Sequence, residues 1–99
     1  MILRDALLER RIRDLQARLL HVRNELALLD EQISTVCDGA EEARVRALVA
    51  ETPLSTHEYE QARRHAEAMQ RARGALSATQ EDLIRRRDDL LCRIGTRSR

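Results

Sequence analysis

A chain of 99 residues, 35% charged and 1% aromatic, with no Trp, no Phe and Tyr59 as its one aromatic ring, lacks the material for a globule packed on aromatic volume. The formal net charge of +1 hides a segregation of charge along the chain. All 18 basic residues are Arg, which with the many Ala and Leu fits a GC-rich genome more simply than a demand for forked guanidinium groups.

The first segment reads as helix from its spacing alone. Leu8, Ile12, Leu15, Leu19, Val22, Leu26, Leu29, Ile33 and Val36 alternate at intervals of 4 and 3, a heptad seam with Ile12, Leu19, Leu26 and Ile33 at a and the others at d. Such a stripe predicts a helix buried along one edge against another helix. Leu3, Leu7, Leu20 and Leu28 lie off the seam, as do Val45, Leu48 and Val49. One hairpin cannot cover them all, so they are the candidates for self-association into a four-helix bundle. Around Ser34–Gly39 helix propensity is weak, and Asp38 with Glu41 reads as an N-cap and its N3 partner, so a kink or break is expected near 37–39. The heptad phase nevertheless continues through Ala40, Ala43, Ala47 and Ala50, which favours one long helix over about 2–51.

Thr52-Pro53 disfavours helix at Thr52, and Ser55 stands three residues before Glu58, so a turn over 52–55 and a second helix over about 56–94 are expected. Gly95 suits the C′ position, and 96–99 reads as a frayed polar tail. The second apolar edge is Tyr59, Ala62, Ala66, Met69, Leu76, Leu83, Leu90 and Ile94, interrupted by Arg73, Gln80 and Arg87. A short loop makes the helices antiparallel neighbours. Ala47 then meets Ala62, Ala43 meets Ala66 and Ile33 meets Leu76, matching small with small and large with large. The competing register, with its turn at 37–39, would set Ile33 beside Ala43 and Leu26 beside Ala50, large against small, and is the less favoured. Arg73 would face Val36 and Arg87 would face Val22, each needing an acid such as Glu25 or an escape to water. The fold class is therefore all-α: an antiparallel helical hairpin of coiled-coil type over residues 1–95, dimerising into a four-helix bundle.

Charge is segregated along the sequence. Residues 1–18 carry five Arg and three acids, and residues 85–99 carry six Arg and two Asp, whereas residues 30–60 carry eight acids and two Arg. Individual i,i+4 pairs such as Glu9–Arg13, Asp14–Arg18 and Glu67–Arg71 explain single charges but not this separation. Asp38, Glu41 and Glu42 are the candidate partner residues of the acidic end, and Arg85, Arg86, Arg93 and Arg97 those of the basic end.

Little else points to chemistry. His21, His57, His65, Cys37 and Cys92 have no metal-type spacing, no Cys–His pair is evident, and neither a cofactor nor a catalytic role is implied. The two lone cysteines suit a reducing compartment. The longest apolar runs, Leu26–Leu29 and Ala47–Ala50, are far too short to cross a bilayer, and Met-Ile-Leu-Arg-Asp has no apolar signal core. A cytoplasmic protein without membrane contact is expected. No aromatic residues stand near Arg85-Arg86-Arg87 to stack bases, and Asp88-Asp89 follow directly, which weighs against nucleic acid.

The run Leu54-Ser55-Thr56-His57-Glu58-Tyr59 with Ala62-Arg63 resembles the tip of the transcript-cleavage factor coiled coil, an E-N-A-E-Y-x-x-A-R type pattern. That family's hairpin enters the secondary channel of RNA polymerase. The resemblance implies an RNA polymerase partner, but Thr52 and Ser55 stand at the family's two acidic tip positions, so its metal-delivering chemistry is absent. Asp38-Gly39-Ala40-Glu41-Glu42-Ala43 is similar to the D-x-x-D-x-A tip of another secondary-channel family, without a zinc module of that kind. The overall build is similar to helical-hairpin antagonists of sigma factors. The expected function is a non-enzymatic coiled-coil interaction protein or regulatory adaptor, binding itself as a homodimer and another protein, with the transcription machinery as the sharpest version. The alternative is a nucleic-acid-binding or architectural protein using the Arg-rich end.

Overall fold

The computed structural model describes residues 2–97, and the side chains of 3–95. Two helices account for nearly all of it: α1, Ile2–Ala50, and α2, Pro53–Arg97, joined by Glu51 and Thr52. The protein is an all-α helical hairpin.

Helix α1 runs through Ser34–Gly39 without a break, so the kink expected near 37–39 is absent. The reason is packing. The seam residues on both sides of Gly39, Val36 and Ala40, are partly covered in the same phase, and continuity of that edge outweighs a few tenths of a kcal/mol of propensity per residue. Thr35 helps by donating its hydroxyl to the Glu31 carbonyl at 3.3 Å, inside the helix. A turn at 37–39 is thereby ruled out.

The turn is tighter than the expected 52–55. Glu51 adopts the left-handed conformation, with φ 53°, and its N–H bonds the Ala47 carbonyl at 3.0 Å, closing α1 with an αL residue. Thr52 is the N-cap of α2 and Pro53 its first helical residue, where the ring needs no N–H partner. The Ser55 N–H donates to Thr52 Oγ1 at 3.1 Å, and the Thr52 N–H donates to Ser55 Oγ at 3.2 Å. This is a capping box, shifted three residues before the Ser55–Glu58 box read from the sequence. Ser55 is accordingly buried, while Leu54 is exposed and cannot act as a staple. At the other end Gly95 takes no left-handed conformation, and α2 continues to Arg97 instead of ending at Ile94.

The chain divides into two compact units. The first comprises Met1–Glu25 and Leu76–Arg99. Its core is Leu8, Ile12, Leu15, Leu19 and Val22 from α1 with Leu83 and Leu90 from α2; Leu19 is 2% exposed and Leu83 1%. Each such burial contributes about 1.5–3 kcal/mol. The second unit is Leu26–Ala75. Here Leu26, Ala43 and Ala66 are buried, and Leu29, Ile33, Val36, Ala40, Ala47, Tyr59, Ala62 and Met69 are half-buried. From Leu8 to Ala47 every side chain that the heptad phase assigns to the seam of α1 is covered, and Cys37 is the one covered residue there outside it.

The left-handed Glu51 yields a test. A side chain there costs roughly 1–2 kcal/mol, and glycine's greater unfolded freedom offsets about half of the gain. Glu51→Gly should therefore raise stability by about 0.5–1 kcal/mol, and Glu51→Val should lower it, both read from thermal melts by circular dichroism. A loss of stability in the glycine variant would contradict the geometry of this turn.

Candidate functional site

Three surfaces carry the polar groups and uncovered apolar groups. In the second unit the helices are tied by a charged pair. Arg73 Nε donates to Asp30 Oδ1 at 2.5 Å and its Nη2 to Oδ2 at 3.3 Å, a two-pronged contact between α2 and α1. The guanidinium lowers the Asp30 carboxyl, and the carboxylate raises Arg73. Arg73, expected opposite Val36, thus sits at the surface and reaches along α1 to an acid. Gln70 Nε2 also contacts Cys37 Sγ at 3.7 Å across the helices.

The acidic candidates of this unit are exposed. Glu41 is engaged by Arg44 at 2.6 and 3.0 Å, which holds its carboxyl below the usual range, whereas Asp38 and Glu42 stand on the outer face of α1. On α2, Arg63 bridges Glu60 at 2.9 Å and Glu67 at 2.6 Å, so Glu67 pairs with Arg63 and not with the expected Arg71. An open hollow of about 770 Å³ at the turn is lined by Leu48, Thr52, Pro53, His57, Glu60 and Arg64, among others.

The first unit holds the basic groups. Arg11 and Arg18 of α1 and Arg86 and Arg93 of α2 line one groove of about 400 Å³ together with Leu15, Leu90, Asp14 and Asp89. Of the basic-end candidates, Arg86 and Arg93 come together here, Arg85 is not part of the groove, and the Arg97 side chain lies outside the described residues. Arg86 is also paired with Asp82 at 3.0 Å. Arg11 and Arg18 were not singled out by sequence. The signal was there: each precedes an a-position residue by one, at the same seven-residue interval that separates Arg86 from Arg93. Arg87, in the seam, is half-buried and turns to its neighbour Asp88 at 3.1 Å. Glu25, proposed as an acid for the seam arginines, pairs instead with His21 at 2.5 Å.

The third surface is apolar. Leu3, Leu7, Leu20, Leu28, Val45, Leu48 and Val49 are all 47–81% exposed. They occupy the b, c and f positions of α1, opposite its buried seam.

Among the described residues no group of three or more His, Cys, Asp or Glu side chains is placed to hold a metal ion, and no helix is long and apolar enough to cross a membrane. Neither Cys37 nor Cys92 is part of a disulfide. No family model, curated protein or solved structure matches the chain.

The Asp30–Arg73 pair predicts a pH dependence. A carboxyl lowered by folding contributes stability above its ordinary value of 3.8 and loses it as pH falls through the lower folded value. Asp30→Asn should melt slightly below wild type at pH 7, and the difference should close as pH drops below about 4. A difference that persists at pH 2 would show that Asp30 acts through shape rather than charge.

Proposed function

We propose that the protein is a non-enzymatic interaction module or regulatory adaptor, which associates with itself and presents its remaining surface to another protein. The observation that carries this reading is the outer face of α1. Seven large aliphatic side chains stand in water there, while the seam side chains from Leu8 to Ala47 on the opposite face are buried or half-buried. Single exposed leucines are ordinary, but Val45, Leu48 and Val49 lie within one turn of each other and join into a patch. Burial of such side chains at about 25 cal/mol per Å² is an ample drive for association.

The transcription machinery is the sharpest partner for such an adaptor. What supports it is the resemblance of the tip to polymerase-channel hairpins. Thr52 and Ser55, at the positions that are acidic in the cleavage factors, are bonded to each other here. A role at this tip is therefore one of docking or occlusion, not of metal delivery.

The second reading is nucleic-acid binding, favoured by the four arginines around one groove of the first unit. That unit carries 12 Arg against 8 acids, a net +4, whereas the second carries 6 Arg against 9 acids, a net −3. Asp14 and Asp89 within the groove weigh against it.

Sedimentation of the pure chain, alone and with RNA polymerase core enzyme or duplex DNA, separates these readings. A dimer at micromolar concentration that co-sediments with the polymerase is expected. A monomer that ignores the enzyme overturns the adaptor reading. Co-sedimentation with DNA at low salt, lost steeply as salt rises, would establish the second reading in its place.

A further inference from the structure

We infer that the partner covering the outer face of α1 is a second copy of this chain, with the two α1 helices antiparallel in a single register. The inference rests on the self-association just proposed and assigns its geometry.

The c and f positions of α1 form a second stripe, opposite the a/d seam. In order it reads Leu3, Leu7, Arg10, Asp14, Ala17, His21, Asn24, Leu28, Glu31, Thr35, Asp38, Glu42, Val45 and Val49. Every one of these side chains is exposed, and α1 is one continuous helix throughout. Two such stripes facing each other antiparallel pair a c position with an f position. The register that sets Leu3 against Val49 also sets Leu7 against Val45, Arg10 against Glu42, Ala17 against Thr35, His21 against Glu31, and Asn24 against Leu28. At the flanks b meets b and g meets g, which brings Arg13 towards Glu41 and Ala6 towards Leu48 on one side but Arg4 towards Arg46 on the other. Aliphatic residues of the basic first unit thus meet aliphatic residues of the acidic second unit of the other copy, and opposite charges meet beside them. By two-fold symmetry each contact forms twice. Two seam pairs are mismatched, Asp14 against Asp38 and Asn24 against Leu28.

The neighbouring registers fail. A slip of one heptad in one direction sets Leu3 on Glu42, Leu7 on Asp38 and Asp14 on Glu31. A slip in the other sets Asp14 on Val45 and Leu28 on Glu31. A parallel pairing sets Arg10 on Arg10, Asp14 on Asp14 and Glu31 on Glu31. Of these alignments the first alone brings the aliphatic ends together while setting Arg10 against Glu42, which is the behaviour expected of a seam specified against its alternatives.

The test uses cysteine cross-linking and charge exchange in the full chain. In a background with Cys37→Ser and Cys92→Ser, shown by circular dichroism to retain its helix, Ala17→Cys and Thr35→Cys are introduced together. The two lie about 27 Å apart on one helix and cannot bridge within a chain. On oxidation the double variant should give a covalent dimer, and neither single variant should. In the chain without added cysteines, Arg10→Glu or Glu42→Arg should weaken dimerisation roughly tenfold, their combination should restore it, and Asp38→Arg should tighten it by relieving the mismatch. A dimer that gives no 17–35 bridge, or one that bridges through Ala17→Cys alone, overturns this register while leaving self-association standing. A monomer at tens of micromolar overturns both.

Discussion

Burial of the a and d side chains of α1 against the edge of α2 is the interaction on which the hairpin depends. Isolated helices gain little from propensity alone, and most helical stability in proteins comes from packing an apolar face. In the first unit Leu8, Ile12, Leu15, Leu19 and Val22 supply that face without interruption, and Leu83 and Leu90 of α2 are buried with them. Because the seam is set by a strict heptad, it also fixes what is left over. The b, c and f positions point away, and the large aliphatic side chains they carry are left exposed.

The polar groups are arranged around that constraint. Arg73 and Arg87 interrupt the edge of α2 where a buried guanidinium would be costly, and both are released to acids near the surface, Asp30 and Asp88. The remaining charge is divided between the two units with opposite sign. Such a division weakens neither unit, since exposed charges cost little, but it makes association selective for a surface of the other sign. A second copy of the chain supplies one.

Much of this was legible in the residues because a heptad is a dense code. The phase of Leu8 to Val36 marked the covered side chains of α1 directly, and the off-seam Leu3, Leu7, Leu20, Leu28, Val45, Leu48 and Val49 marked the open face. Three features were not legible. The weak stretch Ser34–Gly39 carries an apparent cap, but covered neighbours on both sides keep it helical. Two overlapping capping signals, Thr52 with Ser55 and Ser55 with Glu58, compete at the turn, and Pro53 decides for the earlier one because its ring is suited to N1. The groove of Arg11, Arg18, Arg86 and Arg93 depends on how far the helices are staggered, which spacing within either helix does not state.

A single seam holds the helices together and leaves the outward residues uncovered. Leu83 and Leu91 of α2 offer the cleanest contrast, the first 1% exposed and the second 46%. Chemical denaturation of Leu83→Ala should show a loss of about 2–5 kcal/mol, and of Leu91→Ala a change within about 0.5 kcal/mol. Equal losses in the two variants would contradict a one-sided seam and, with it, the case for an open interaction face.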